Sequence, residues 1–320
     1  MMKFVTRTLL TLCTLLPLSA NNNLRHWNLT DGSRMHAELV DYNEETNQVY
    51  LRINETKDHY LKLEDFSPLD QAWLVEWTRM SGKLMEMLEK MPGKFTAFQY
   101  QGELDTHDFY VYEPSSVQGI SRRPLMILIN AGPKGMRYLL RHMEAAEATS
   151  MTIIAMDRYG NSHTIEEAEN NLTRFLELLP QIEATVAHDP QQIYIGGISG
   201  GALRAINWAN AIERPWKGVY WNGGWLGYDK NLLKEYRKMK VIVVNGNNDR
   251  GANHYLRKRD LDILLENDLE VGIIAFEGGH QIPPQEHQIM AFQWLLDSTA
   301  VEELSTIDDL KPTPTPKLGE

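Results

Sequence analysis

Cysteine is nearly missing from this 320-residue chain, where Cys13 is the only one. It lies within the first twenty residues, so the remainder has no thiol for a disulfide, an iron–sulfur cluster or a Cys-rich zinc site. Stability has to come from a buried core. Other metal-ligand spacings are missing too: there is no HExxH pair and no calcium-loop pattern. A Walker loop and a GxGxxG turn are also absent, which removes the usual sequence signs of nucleotide binding. Positive charge is scarce, with 32 Lys and Arg against 43 Asp and Glu and a net charge of −11. That balance excludes nucleic acid as the expected partner. No apolar run approaches the roughly 20 residues that cross a bilayer. The expectation is therefore no metal, no cofactor and no stable membrane span.

The first twenty residues have their own character. Lys3 and Arg7 precede an apolar stretch from Leu9 to Leu18, which ends on Leu18-Ser19-Ala20. This reads as a secretory signal peptide, with an N-terminal anchor as the alternative. Cys13 lacks the small preceding residues that a lipid-attachment site would want. Loss of the two cations would take the net charge from −11 to −13. The mature chain is expected outside the cytoplasm, periplasmic or secreted.

Residues 24–78 alternate in period two, as in Met35, Ala37 and Leu39 or Val49, Leu51 and Ile53. Turns at Asp31-Gly32 and across 43–48 make these short antiparallel strands. Ser67-Pro68 starts a helix, with Trp73, Leu74 and Trp77 on its apolar face. A helical linker over 79–94 breaks at Met91-Pro92-Gly93. From 95 to 298 strands and helices alternate, the mark of a mostly parallel sheet covered on both faces. Central strands are expected at Leu125–Ile129 and Thr152–Met156. Thr164 and Glu167 form a capping box, with Ala168, Leu172, Phe175, Leu176 and Leu179 at helical spacing behind it. Residues 299–320 turn polar and Pro-rich and are expected to be disordered.

The chemistry centres on Gly197-Ile198-Ser199-Gly200-Gly201, between a short apolar strand and a small-residue helix. A serine pinched between glycines at such a turn is raised above the sheet at a helix N-terminus, where N–H groups can meet an oxyanion. Asp249 follows the β-like run 241–244, and His280 follows the run 271–276. The chain order is Ser, Asp, His, with each residue just beyond a strand. Ser199 is the expected nucleophile, His280 its base and then acid, and Asp249 the residue that orients His280. His254 and His287 are rivals for the base, and an N-cap or Asx turn is the alternative for Asp249. Asp260 and Asp262 are placed on the exposed side of a helix, and Arg257-Lys258-Arg259 is read as a solvated face. The oxyanion donors are expected to be the N–H groups of Gly200 and of Gly132, with Ala131 close behind, since Pro133 has none. Trp225 is expected either to wall a substrate site or to pack in the core.

Two resemblances rest on these residues. The run 192–202, Gly246 to Asp249 and Gly279-His280 resemble exported α/β-hydrolases of the polyhydroxybutyrate depolymerase, feruloyl esterase and dienelactone hydrolase kinds. Where many of these carry His-Gly, this chain has Asn130-Ala131. Trp27, Asp31-Gly32, Phe66-Ser67-Pro68-Leu69-Asp70-Gln71 and Trp73-Leu74 resemble a Sla-type homology domain, a small β-barrel. The resemblances imply an α/β-hydrolase sheet preceded by that barrel, and an acyl-enzyme route without metal or organic cofactor. The substrate implied is a small-molecule or polymer-linked carboxylic ester, with a peptide or surface partner for residues 24–78. A prolyl-oligopeptidase-like peptidase and a non-catalytic binding protein of the same fold are the alternatives.

Overall fold

The computed structural model describes residues 17–18 and 24–311, apart from positions 45, 55, 56, 105, 133, 158, 160, 163 and 228–238. The leader expected over 1–20 lies outside the described residues, except β1 (Pro17–Leu18), which pairs antiparallel with Phe98 and Ala97.

The period-two segments form β2 (Leu24–Asn28), β3 (Arg34–Asn43), β4 (Gln48–Asn54) and β5 (Lys57–Lys62), an antiparallel sheet in sequence order. Ala37, Leu39, Val49 and Leu51 turn inward together with Trp27, Tyr42, Phe66 and Leu74. An antiparallel bridge joins Leu29 to Phe66, and Ser67 N–H donates to Asn28 O at 2.8 Å. These contacts bring the chain beyond β5 back against the end of β2, so the sheet curls on itself. The next helix, α1 (Pro68–Lys90), starts where Ser67 Oγ accepts from Asp70 N–H. It runs unbroken into the stretch expected as a separate linker, because nothing before Pro92 forces a stop. The Trp77 side chain lies outside the described residues.

The large sheet adds β6 (Lys94–Gln101), β7 (Thr106–Glu113), β8 (Leu125–Ile129), α2 (Gly135–Leu140), α3 (Met143–Thr149), β9 (Thr152–Met156) and α4 (Ile165–Thr185). It continues with β10 (Ile193–Ile198), α5 (Gly200–Ala211), β11 (Trp216–Asn222), β12 (Lys240–Gly246), α6 (Arg250–Tyr255), α7 (Leu261–Glu266), β13 (Glu270–Phe276) and α8 (Gln285–Leu296). The strand order is β1-β6-β7-β9-β8-β10-β11-β12-β13. Strands from β9 to β13 in this order are parallel, and β6 and β7 are antiparallel.

Alternation along the buried strands divides the interior in two. Leu125, Ile127 and Ile129 meet Phe175, Ala205 and Trp208 of α4 and α5. Met126 and Leu128 meet Leu139, Met143 and Phe292 of α2, α3 and α8 on the other face. The capping box at Thr164 and Glu167 is present, but Leu176 is exposed, and Leu178 takes the buried position on α4. Among the described residues, no helix is long and apolar enough to cross a membrane.

Three expectations are corrected near the C-terminus. Asp260 is buried, not exposed, and accepts from Leu226 N–H at 2.9 Å. A π-helical turn at Leu256–Asp260 inserts a wider turn before α7 and rotates this carboxylate inward, while Asp262 stays exposed. Arg257 is no solvated charge, because its guanidinium donates to Leu310 O at 2.9 Å and also to Ile307 O. Residues 299–311 are ordered along β13: Ser305 N–H donates to Ile273 O, Lys311 N–H to Asn247 O, and Leu310 is wholly buried. Their composition is polar, but Leu304, Ile307 and Leu310 recur every third residue and find the core beside the sheet edge. The rest of the expected tail, 312–320, lies outside the described residues. Leu310→Ala should cost about 2–4 kcal/mol in chemical denaturation. An unanchored tail would give no change.

Candidate active site

The turn from β10 to α5 is as tight as its glycines imply. Ser199 sits at φ 56°, ψ −124°, a conformation an L side chain rarely adopts. Its N–H donates to Asn222 O at 2.9 Å, which fixes the turn to the end of β11. A Cβ on Gly201 would stand 2.1 Å from Ile129 O, so the start of α5 lies directly on the backbone of β8. The strained serine is held by close backbone packing on two sides.

Asp249 follows β12 and is almost fully buried. Its two oxygens divide the roles that the sequence left as alternatives. One caps α6 by accepting from Ala252 N–H at 3.2 Å, and the other accepts from His280 Nδ1 at 2.7 Å. An ionised carboxylate only accepts, so Nδ1 carries the proton and Nε2 is left as the basic nitrogen. The hydrogen bond to Asp249 raises the His280 pKa above the usual histidine value, and the charge of Asp249 adds to this against the opposing effect of partial burial. Asn247 N–H donates to Phe276 O and Asn248 N–H to Gly278 O, both at 2.8 Å, tying the acid loop to the histidine loop. The rival histidines are engaged elsewhere: His254 packs on Tyr255, and His287 pairs with Glu286 at 3.4 Å in α8.

Gly223 links the two halves of the site. It directly follows Asn222, which accepts from Ser199 N–H. A Cβ built on it would lie 2.9 Å from His280 Cε1 and 3.2 Å from Asp249 Oδ2, at φ +57°. The serine turn and the His–Asp pair are thus neighbours across one glycine, although no Ser199–His280 hydrogen bond is formed. Gly223→Ala should displace the imidazole and slow any reaction that uses the Ser199 and His280 pair by about 10²-fold, the scale of a 1 Å misplacement. Kinetics beside a melting curve would check it, because a loss explained by unfolding alone would remove this role.

Gly200 opens α5, and Gly132 lies in the loop after β8. Within that loop Ala131 N–H donates to Asn130 Oδ1 at 2.9 Å, whereas Gly132 N–H has no internal partner among the described residues. Pro133 itself lies outside them. Gly200 and Trp225 border a cavity of about 660 Å³ with Asn161, Leu203, Asn207 and Trp208. Trp225 is half-buried and stacks on Tyr255 with centroids 6.3 Å apart, so it walls the cavity and is no core residue.

Sequence reasoning missed Asn161 and Arg204; it expects the run Trp221-Asn222-Gly223-Gly224-Trp225 to reach the catalytic face but gives Gly223 no role of its own. The Asn161 carboxamide lies over Gly200, where a Cβ would fall 1.8 Å from Oδ1. Arg204 donates to Asn130 O at 3.0 Å and Tyr159 O at 2.8 Å, clamping the loops after β8 and β9. Burial lowers its pKa to about 10, which leaves it charged at neutral pH. Asn161 and Gly223 each follow the carboxyl end of a parallel strand, a position where ligand-facing residues gather.

The sequence matches no protein-family model and no curated protein. Solved structures do match. An S-formylglutathione hydrolase from Agrobacterium tumefaciens is 12% identical with a TM-score of 0.51, covering 66% of this chain and 94% of that one. A ferulic acid esterase is 15% identical at a TM-score of 0.49, covering 64% and 97%. The Pyrococcus horikoshii acylaminoacyl peptidase is 15% identical at 0.49, covering 90% and 52%. At such identities the likeness shows architecture: the chain has the α/β-hydrolase fold, with a separate antiparallel four-stranded sheet at its N-terminus.

Proposed function

We propose that this protein is a serine hydrolase that cleaves a carboxylic ester through Ser199, His280 and Asp249. The observation that carries the reading is the strained Ser199 turn packed, across Gly223, against a buried-carboxylate–histidine pair. A free serine hydroxyl is a weak nucleophile and needs a base within reach. In this reading Ser199 Oγ attacks the ester carbonyl carbon while its proton passes to His280 Nε2. The tetrahedral oxyanion takes hydrogen bonds from the N–H groups of Gly200 and Gly132. Collapse breaks the bond to the leaving oxygen, which receives the proton from His280. Water then attacks the acyl-enzyme, giving its proton to His280, and Ser199 leaves with that proton restored. Asp249 stabilises the imidazolium throughout without taking its proton.

Trp225 and the apolar side of its cavity suit the acyl portion. The leader read in residues 1–20 supports export, and residues 24–78 serve as a binding or spacing module for a peptide or surface. The test is fluorophosphonate labelling of the wild type and of Ser199→Ala, followed by mass mapping. One adduct on Ser199, absent in the variant, is the expected result. A folded wild type that takes no adduct at neutral pH overturns the reading in favour of a non-catalytic protein of this fold.

A further inference from the structure

Beside the reacting residues lies a second cavity of about 430 Å³, whose lining shares no residue with the cavity at Trp225. Lys134, Arg137 and Arg141 border it together with Asn130, Gln281 and Ile282. Asn130 begins the loop that carries Gly132, and Gln281 directly follows His280, so the cavity opens between the candidate oxyanion donor and the candidate base. The three cations are spaced three and four residues apart. They therefore share one face of the short helix α2, which Lys134 and Arg141 flank as its caps. Like charges at this spacing repel and work against the helix. Only Arg137 has an acidic partner, Glu76 at 3.7 Å. Lys134 and Arg141 are exposed and have no ion pair among the described residues. Among the described residues no acidic side chain borders the cavity, in a chain whose net charge is −11.

We propose that this cavity is a subsite for an anionic substituent, a carboxylate or a phosphate, carried on the leaving alcohol of the substrate. The inference rests on the hydrolase reading above. His280 delivers its proton to the leaving oxygen, so a group attached to that oxygen projects toward Gln281 and into the cavity. The acyl portion is assigned to the separate cavity bordered by Gly200 and Trp225. The guanidinium groups can take either anion bidentately, and Lys134 adds a point charge at the helix start.

The experiment compares acetate esters of 4-hydroxybenzoate, of its neutral methyl ester and of 4-hydroxyphenyl phosphate, read as kcat/KM ratios within each protein. Wild type is expected to favour an anionic ester by about three- to tenfold, the size of two partly exposed charge contacts, with the preference falling as salt rises. In the Lys134→Gln, Arg141→Gln double variant the ratio should fall to about one. The better of the two anions identifies the group that the subsite takes. Hydrolysis of the neutral ester with no anionic preference, or a preference that the variant retains, overturns the subsite and leaves the hydrolase reading standing.

A second measurement is independent of turnover. Calorimetric titration of 4-hydroxybenzoate and phenyl phosphate into Ser199→Ala should show binding that is weakened about three- to tenfold when the two cations are also replaced. No binding of either probe overturns the subsite even if every ester proves inert, an outcome that would separately sink the hydrolase reading.

Discussion

Replacing His280 with alanine should lower ester kcat by about 10⁴- to 10⁶-fold and abolish rapid fluorophosphonate labelling of Ser199, with little change in stability. The ring is about half exposed and packs on no core cluster, so the loss would be chemical rather than structural. Groups that act as one unit lose activity non-additively. The Ser199→Ala, His280→Ala double variant should therefore be no worse than either single one. A double variant slower by the product of both effects would mean that the two residues work independently, contrary to a nucleophile–base pair. Asp249→Asn should cost about 10⁴-fold, because an amide can hold His280 in the wrong tautomer.

The pH profile supplies a separate check. His280 acts as a base only when Nε2 is unprotonated, and its bond to Asp249 raises its pKa. The acid limb of kcat/KM should accordingly have its midpoint above the ordinary histidine value of 6.5. Asp249→Asn should move that limb toward lower pH. A limb that does not move would assign the titration to another group.

Much of this was legible in the sequence because the elbow is a local device. Glycines 197, 200 and 201 are dictated by a turn in which a Cβ would strike Ile129 O or Asn161, and that demand is written in adjacent residues. The order of Asp249 and His280 after their strands was readable for the same reason. Contacts that join distant segments were not. Arg257 looked solvated beside Lys258 and Arg259, and only the fold reveals that Ile307 and Leu310 arrive to use it. Asp260 defied helical periodicity because one π turn shifts the phase, and no residue type announces such a turn. Asn161 and Gly223 carried a positional signal at strand ends, but nothing in their identity separates them from ordinary loop residues.

Arg25→Met should destabilise the protein by about 3–5 kcal/mol, the cost of leaving buried carboxylates without their cation. Arg25, on β2, is almost wholly buried and donates to Asp70 of α1 at 3.0 Å and to Asp108 of β7 at 2.7 Å. Burial disfavours its charge, but Asp108 and Asp70 outweigh this and hold its pKa above the ordinary value. Its guanidinium lies 4.0 Å from the ring centre of Trp73, whose Nε1–H donates to Tyr110 OH. Tyr110 in turn donates to Asp157 Oδ2 at 2.5 Å, and Asp157 Oδ1 accepts from Gly135 and Met136 N–H at the start of α2. The small sheet is thereby wired to the helix that follows the loop carrying Gly132. Burial, with the charge of Asp108 adding to it, raises the Asp157 pKa to about 6 against the opposing hydrogen bond from Tyr110. Loss of Arg25 would strengthen the negative field on that chain, so the variant should lose ester turnover as well as stability. Its stability deficit should narrow in acid, where the stranded carboxylates take up protons. Denaturation curves at neutral and acid pH distinguish this from a packing loss, which would be the same at both. Deleting residues 24–78 outright would be a poor test of their role, since it would strand Asp108 in the same way. The point variant, with Asp70→Asn and Asp108→Asn in the same chain to relieve both unpaired charges, separates the electrostatic link from the presence of the sheet: recovered stability locates the defect at the charges, and no recovery locates it in the lost stacking on Trp27 and Trp73.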